Sequence, residues 1–156
     1  MNTYLLVKAV HIVSSVLLVG TGFGTSFFLY FANRTRLVEP IAVVARLVVR
    51  ADWWFTTPTA IIQPLTGLYL VHVNRLPLTT SWIALSAFLF VIAGACWLPV
   101  VWLQLQLARM AGQSVKEGTS LPQRYWRYAA IWEWLGYPAF AAMLVIFFLM
   151  VFHPTL

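Results

Sequence analysis

The chain has 156 residues, of which 62% are hydrophobic and only 9% charged, with a formal net charge of +6. Soluble domains carry about 25% charged residues, so this composition excludes an ordinary water-soluble domain. The positive charge is therefore read as orientation in a membrane and not as a nucleic-acid surface.

Four runs contain no Asp, Glu, Lys or Arg: 9–33, 53–74, 76–108 and 134–156, which are 25, 22, 33 and 23 residues long. A spanning helix needs roughly 20 apolar residues. Backbone groups in hydrocarbon must be satisfied internally, which leaves helices or closed barrels, and these runs lack the alternation of barrel strands. The sequence predicts an all-α fold, a bundle of four transmembrane helices at about 4–32, 40–73, 80–111 and 122–153. Together they make one integral membrane domain over 1–156. The first run exceeds the roughly 7–15 apolar residues of a signal peptide and lacks a clear cleavage site, so it is expected to stay. The single cysteine, Cys96, precludes an intrachain disulfide.

Helix one begins with "KAVHIVSS" (8–15), which carries Lys8 and His11 into an apolar stretch. "GTGFG" (20–24) has the small-xxx-small spacing of close helix packing. Ser15, Leu18 and Gly22 follow His11 at helical spacing, a stripe suited to a partner helix or a planar group. Helix two starts near Pro40, holds Pro58 and Pro64, and at 34 residues is expected to project into the cytoplasm. Helix three contains Pro99 and has Gly112 as its expected stop. The polar loop "GQSVKEGTSLPQ" leads to helix four at Pro122.

Arg34, Arg36, Arg46 and Arg50 lie between the first two runs, and Arg109, Lys116, Arg124 and Arg127 between the last two. Only Lys8 and Arg75 fall elsewhere. The positive-inside rule assigns the eight to the cytoplasm, with both termini on the outer, periplasmic side. Trp53, Trp54, Trp126, Trp132 and Trp134 then mark the cytoplasmic boundary and Trp82 the outer one, while Trp97 and Trp102 are expected inside the bundle. Asp52 and Glu133 are expected to pair with Arg46, Arg50 and Arg127.

All three histidines, His11, His72 and His153, fall in the outer half on this topology. Ionisable residues inside a membrane are functional candidates by default. Lys8 lies three residues outward of His11, and Arg75 three outward of His72. Two imidazoles at matched depth, each beneath a cation, suit haem with axial histidines and outward propionates. The plainer alternative makes the cations interfacial anchors and leaves His72 and His153 wet. Met143, Ile146, Phe147, Met150 and His153 share one face of helix four. That is core filler, or a soft donor set suited to copper or to an axial haem position.

The stretches "LLVKAVHIVSSVLLVGTGFGTSFF", "ADWWFTTPTAIIQPLTGLYL" and "GACWLPVVWLQLQL" carry a resemblance. Through them the whole chain resembles domain-of-unknown-function family 2269, a set of predicted bacterial integral membrane proteins. More distantly it is similar to HemJ-type protoporphyrinogen oxidases and to CopD-like copper-resistance membrane proteins. The points shared with the HemJ type are "KAVHI" and "TP" followed by "LTGLYL". That resemblance implies haem b and a ligand role for His11. The HemJ type has a further histidine in its third helix, and this sequence has none between Thr79 and Gly112, which leaves the second ligand unassigned.

The leading expectation is a multi-pass protein of the bacterial inner membrane that binds haem b near the outer face, as an electron-transfer protein or oxidoreductase. His11 and His72 would be axial ligands, with Lys8 and Arg75 at the propionates. The second is a copper-handling protein using His11, His72, Met150 and His153, with Met143, Met150 and His153 the alternatives for a second ligand. The third is a non-catalytic membrane subunit. The expected partners are the lipid bilayer, a second copy, or another membrane redox protein.

Overall fold

The computed structural model describes residues 2–154. It contains α1 (Thr3–Thr35), α2 (Val38–Ala51), a π-helical turn (Asp52–Thr56), α3 (Thr57–Val73), α4 (Ser81–Glu117) and α5 (Gln123–Phe152), and no strand among the described residues.

Three helices, α1, α4 and α5, are long and apolar enough to cross a membrane, where four were expected. The difference lies in 40–73, which is not one α-helix. Here α2 gives way to a π-turn, in which the Thr57 N–H bonds the Asp52 carbonyl five residues back. The widened turn immediately precedes Pro58, whose ring would crowd the carbonyl four residues before it in a regular α-helix. The chain continues as α3, 17 residues and about 26 Å long, short of a hydrocarbon core of roughly 30 Å.

Local chemistry sets the other ends. Asn2 caps α1 by accepting from the Tyr4 N–H at 3.1 Å. α4 does not stop at Gly112. It runs on to Glu117, and Ser114, in the turn beyond Gly112, is buried as Ala111 before it is. The left-handed residue is Gly118, φ +62°, and the Thr119 N–H closes back on the Ser114 carbonyl at 3.0 Å.

The helices pack as two pairs, α1 with α3 and α4 with α5, and α2 touches both α1 and α4. α2 is amphipathic. Ile41, Ala42, Ala45 and Val48 are buried, while Arg46 and Arg50 on the other side are exposed. Its apolar face nucleates the one large core, with Leu29 and Ala32 of α1, Leu103, Leu107 and Ala111 of α4, and Tyr125, Ala129 and Trp132 of α5. Trp132, expected at the interface, belongs to this core. Trp102, expected inside, is exposed. The Tyr125 hydroxyl donates to Asn33 Oδ1 at 2.7 Å, and the Arg36 guanidinium lies 4.0 Å over the Trp126 ring, so α5 is tied to the end of α1. Away from the α2 end the two pairs share no comparable core. Gly20 and Gly24 mediate no close approach, since a Cβ on either would meet nothing within 4 Å.

Leu107 is fully buried in this core and Leu98 is 66% exposed on the same helix. Leu107→Ala should destabilise the protein by about 2–5 kcal/mol, whereas Leu98→Ala should stay within about 0.5 kcal/mol. Thermal unfolding in detergent should therefore show a marked fall in Tm for the first and almost none for the second.

Candidate functional site

His11 is half-buried between α1 and α3. Its Nδ1 lies 2.8 Å from Thr66 Oγ1. The Thr66 hydroxyl already donates to the Ile62 carbonyl at 2.7 Å, so towards His11 it accepts. The Nδ1 therefore carries the imidazole proton, and Nε2 carries the lone pair. One turn on, the Ser14 hydroxyl donates to Gln63 Oε1. Gly67 makes the seat. A Cβ there would stand 3.3 Å from His11 Cε1, so a side chain would press on the ring. Thr56, Thr59, Gln63 and Thr66 recur at helical spacing along this segment, a polar stripe that could have been read in the sequence.

The other expected ligands are not gathered around His11. His72 is exposed, and α3 ends at Val73. Arg75 therefore sits in a turn, φ +55°, and the helical spacing expected from His72 to Arg75 is not present. The break has a local cause, since the Asn74 side chain bonds the Leu70 carbonyl at 2.7 Å and terminates the helix. Lys8 is exposed, its Nζ 6.0 Å from the centre of the Tyr4 ring. The helix-four donors have separate surroundings. Met143 faces an internal cavity, Met150 is exposed, and the His153 ring lies 4.4 Å from that of Trp82. No group of three or more His, Cys, Asp or Glu among the described residues is placed to hold a metal ion.

The cavity is the larger feature. Between the two helix pairs lies a cleft of about 470 Å³, walled by α1, the π-turn and the start of α3, α4 and α5. Leu18 and Gly22, two of the residues in register with His11, line it, but His11 does not. Most of the lining is apolar or aromatic. Its charged members are Asp52 and Glu133, with no Lys, Arg or His among the described lining residues. Neither acid forms the expected ion pair. Asp52 Oδ1 accepts from Thr56 Oγ1 at 2.8 Å, Glu133 accepts from the Tyr137 hydroxyl at 2.7 Å, and Arg46, Arg50 and Arg127 are exposed.

Asp52 sits on the π-turn, 4% exposed, beside Gln104 of α4, also 4% exposed. Asp52 Oδ2 and Gln104 Oε1 have no hydrogen-bond partner among the described residues. Both residues also line a second cavity of about 230 Å³. Native proteins leave few buried polar atoms unpaired, and each calls for an explanation.

The model of the family described as "predicted integral membrane protein", domain of unknown function 2269, matches residues 5–154. The chain belongs to that family. It is thus an integral membrane protein, multi-pass through its three long apolar helices. No curated protein and no solved structure matches the chain. Within the family's matched region lie both the His11 seat and the Asp52–Gln104 pair. Sequence reasoning placed Asp52 in an ion pair and passed over Gln104. Their signals were a lone aspartate at a helix junction and an amide inside an uncharged run of 33 residues.

Proposed function

We propose that this protein binds an amphipathic small molecule inside the bacterial inner membrane, in the cleft between its two helix pairs. The observation that carries the reading is the cleft itself. Its volume, about 470 Å³, falls within the roughly 300–1,000 Å³ of ligand sites, which favour the space between bundle helices. A mostly apolar wall with a few buried polar atoms at one end suits a molecule that enters from lipid and keeps its head group inside.

Gly22 and Gly94 line the cleft, and a Cβ at either would meet nothing within 4 Å. The variant Gly22→Leu/Gly94→Leu should therefore fill the cleft and keep the fold. In nanodiscs, dodecanol carrying a terminal bromine should quench tryptophan fluorescence saturably in the wild type, since Trp97 and Trp132 line the cleft. The filled variant should lose the saturable part. Equal quenching in both would refute the reading.

The orientation rests on the cations. Eight of ten flank the α2 end of the bundle, which supports a cytoplasmic α2 end, with the π-turn and α3 together, not α3 alone, returning the chain so that both termini face outward. Reporter fusions after Met110 should read cytoplasm, and those after Asn74 and Leu156 the outside. An outside signal at Met110 would reverse the assignment.

The His11 seat supports a second reading, haem b with His11 as an axial ligand. An Nδ1–H held by a neighbouring oxygen, leaving Nε2 as donor, is the usual arrangement of a metal-binding histidine. The fit extends to one ligand only, because His72 is exposed and not part of the seat. Lys8 and Arg75 are the two cations outside the α2 end and the candidates for propionate contact. Bound haem would supply one-electron redox chemistry. Purified protein should show a Soret band that His11→Ala abolishes and Thr66→Val weakens, with Lys8→Gln/Arg75→Gln lowering the haem-to-protein ratio. A preparation without a Soret band, before and after incubation with haem, would end this reading.

A further inference from the structure

We infer that the cleft recognises a lipophilic amine in its protonated, cationic form. The inference rests on the proposed ligand cleft and names the head group that the cleft is built to hold.

Three observations converge on it. The first is the kind of polar atom left unpaired. Asp52 Oδ2 and Gln104 Oε1 are both acceptors, both on side chains 4% exposed, and both residues line the cleft. The Thr56 hydroxyl on the same turn is already committed, because its proton goes to Asp52 Oδ1. A single head group that serves both acceptors must carry more than one N–H or O–H. An ammonium head group carries several donors and no acceptor.

The second observation is charge. The charged groups that line the cleft are two carboxyls, Asp52 and Glu133, with no cation among the described lining residues. Arg34 stands near the rim, where it bonds the hydroxyl of Tyr30. A phosphate or carboxylate head would meet like charge and no counter-ion at Asp52. A neutral alcohol has one proton and satisfies one of the two acceptors. A protonated amine satisfies both and neutralises Asp52, through charge-assisted hydrogen bonds that are stronger than neutral ones.

The third is the wall. Phe23, Phe27, Phe90, Trp97 and Phe140 line the cleft. Aromatic faces attract a desolvated cation and offer its alkyl or aryl body an apolar surface. The π-turn is what brings the carboxyl to this wall. Asp52 is buried at its start, while Trp53, Trp54 and Phe55 of the same turn are exposed. Single π-turns inside helices are frequent at functional sites.

The test uses two probes of equal length, dodecylamine and dodecanol, each carrying a terminal bromine, with the full chain in nanodiscs at neutral pH. An alkylamine titrates near ~10.4 in water and is protonated there. Saturable tryptophan quenching by the amine should be about tenfold tighter or more than by the alcohol. Asp52→Asn, which keeps size and shape, should bring the amine down to the alcohol's affinity and leave the alcohol unchanged. Gln104→Met, which removes the other acceptor at similar length, should weaken the amine as well, and it serves as the second variant should Asp52→Asn not fold. Equal affinities for both probes in the wild type would overturn the inference and leave the cleft reading standing. An Asp52→Asn variant that weakens both probes alike would also overturn it, since Asp52 would then only hold the cleft's shape. Absence of saturable quenching by either probe would overturn both readings together.

Discussion

The structure depends on a fastening at one end. In lipid, helices gain little from burying apolar surface against one another, because the acyl chains are as apolar as leucine. Long apolar helices therefore need close packing or polar ties to hold a fixed arrangement. Here α2 supplies the packing. Its Ile41, Ala45 and Val48 sit in one core with Leu29, Leu107 and Tyr125, drawn from three other helices. The Tyr125–Asn33 hydrogen bond and the Arg36–Trp126 stack close the same end. With the pairs joined there, nothing requires them to meet farther along, and the cleft is what remains between them.

Within the α1–α3 pair the fastening is polar. His11 bonds Thr66 and Ser14 bonds Gln63 across the two helices, and Gly67 allows the close approach that these contacts need. The α4–α5 pair relies on packing, with Ile83, Ala93, Ala142 and Leu149 buried along it. His11 and Asp52 differ accordingly. His11 is partly used up as a helix tie, with one nitrogen committed and one left. Asp52 commits one oxygen within its own turn and leaves the other facing no partner among the described residues. The orphaned acceptor, and not the histidine, lies on the larger internal space.

Much of the fold was legible along the chain. The uncharged runs announced helices in lipid, and Pro122 marked the start of α5 within a residue. The break at Asp52–Thr56 was not legible. Pro58 predicts a kink, but whether the chain answers with a bend or with an inserted residue depends on what packs against that turn. Gly112 misled for a related reason, because a glycine ends a helix only where the next turn has no buried face to keep.

The candidate site was less legible, and the reason is physical. Hydropathy is a sum over neighbours in sequence, so it determines which segments leave water. It was enough to make His11 conspicuous as an ionisable group in an apolar run. It says nothing of which helix faces which. Pairing α1 with α3 turned His11 towards Thr66 and left His72 and Arg75 outside that contact. Placing Asp52 opposite Gln104, some fifty residues apart in the chain, required the π-turn, the α2 core and the register of α4 together. Composition, membrane character and the approximate course of α1, α4 and α5 were determined by the sequence read by itself. The partners of its few polar side chains were decided only when the tertiary structure set one helix face against another, because a hydrogen bond reaches about 3 Å and hydropathy carries no such distance.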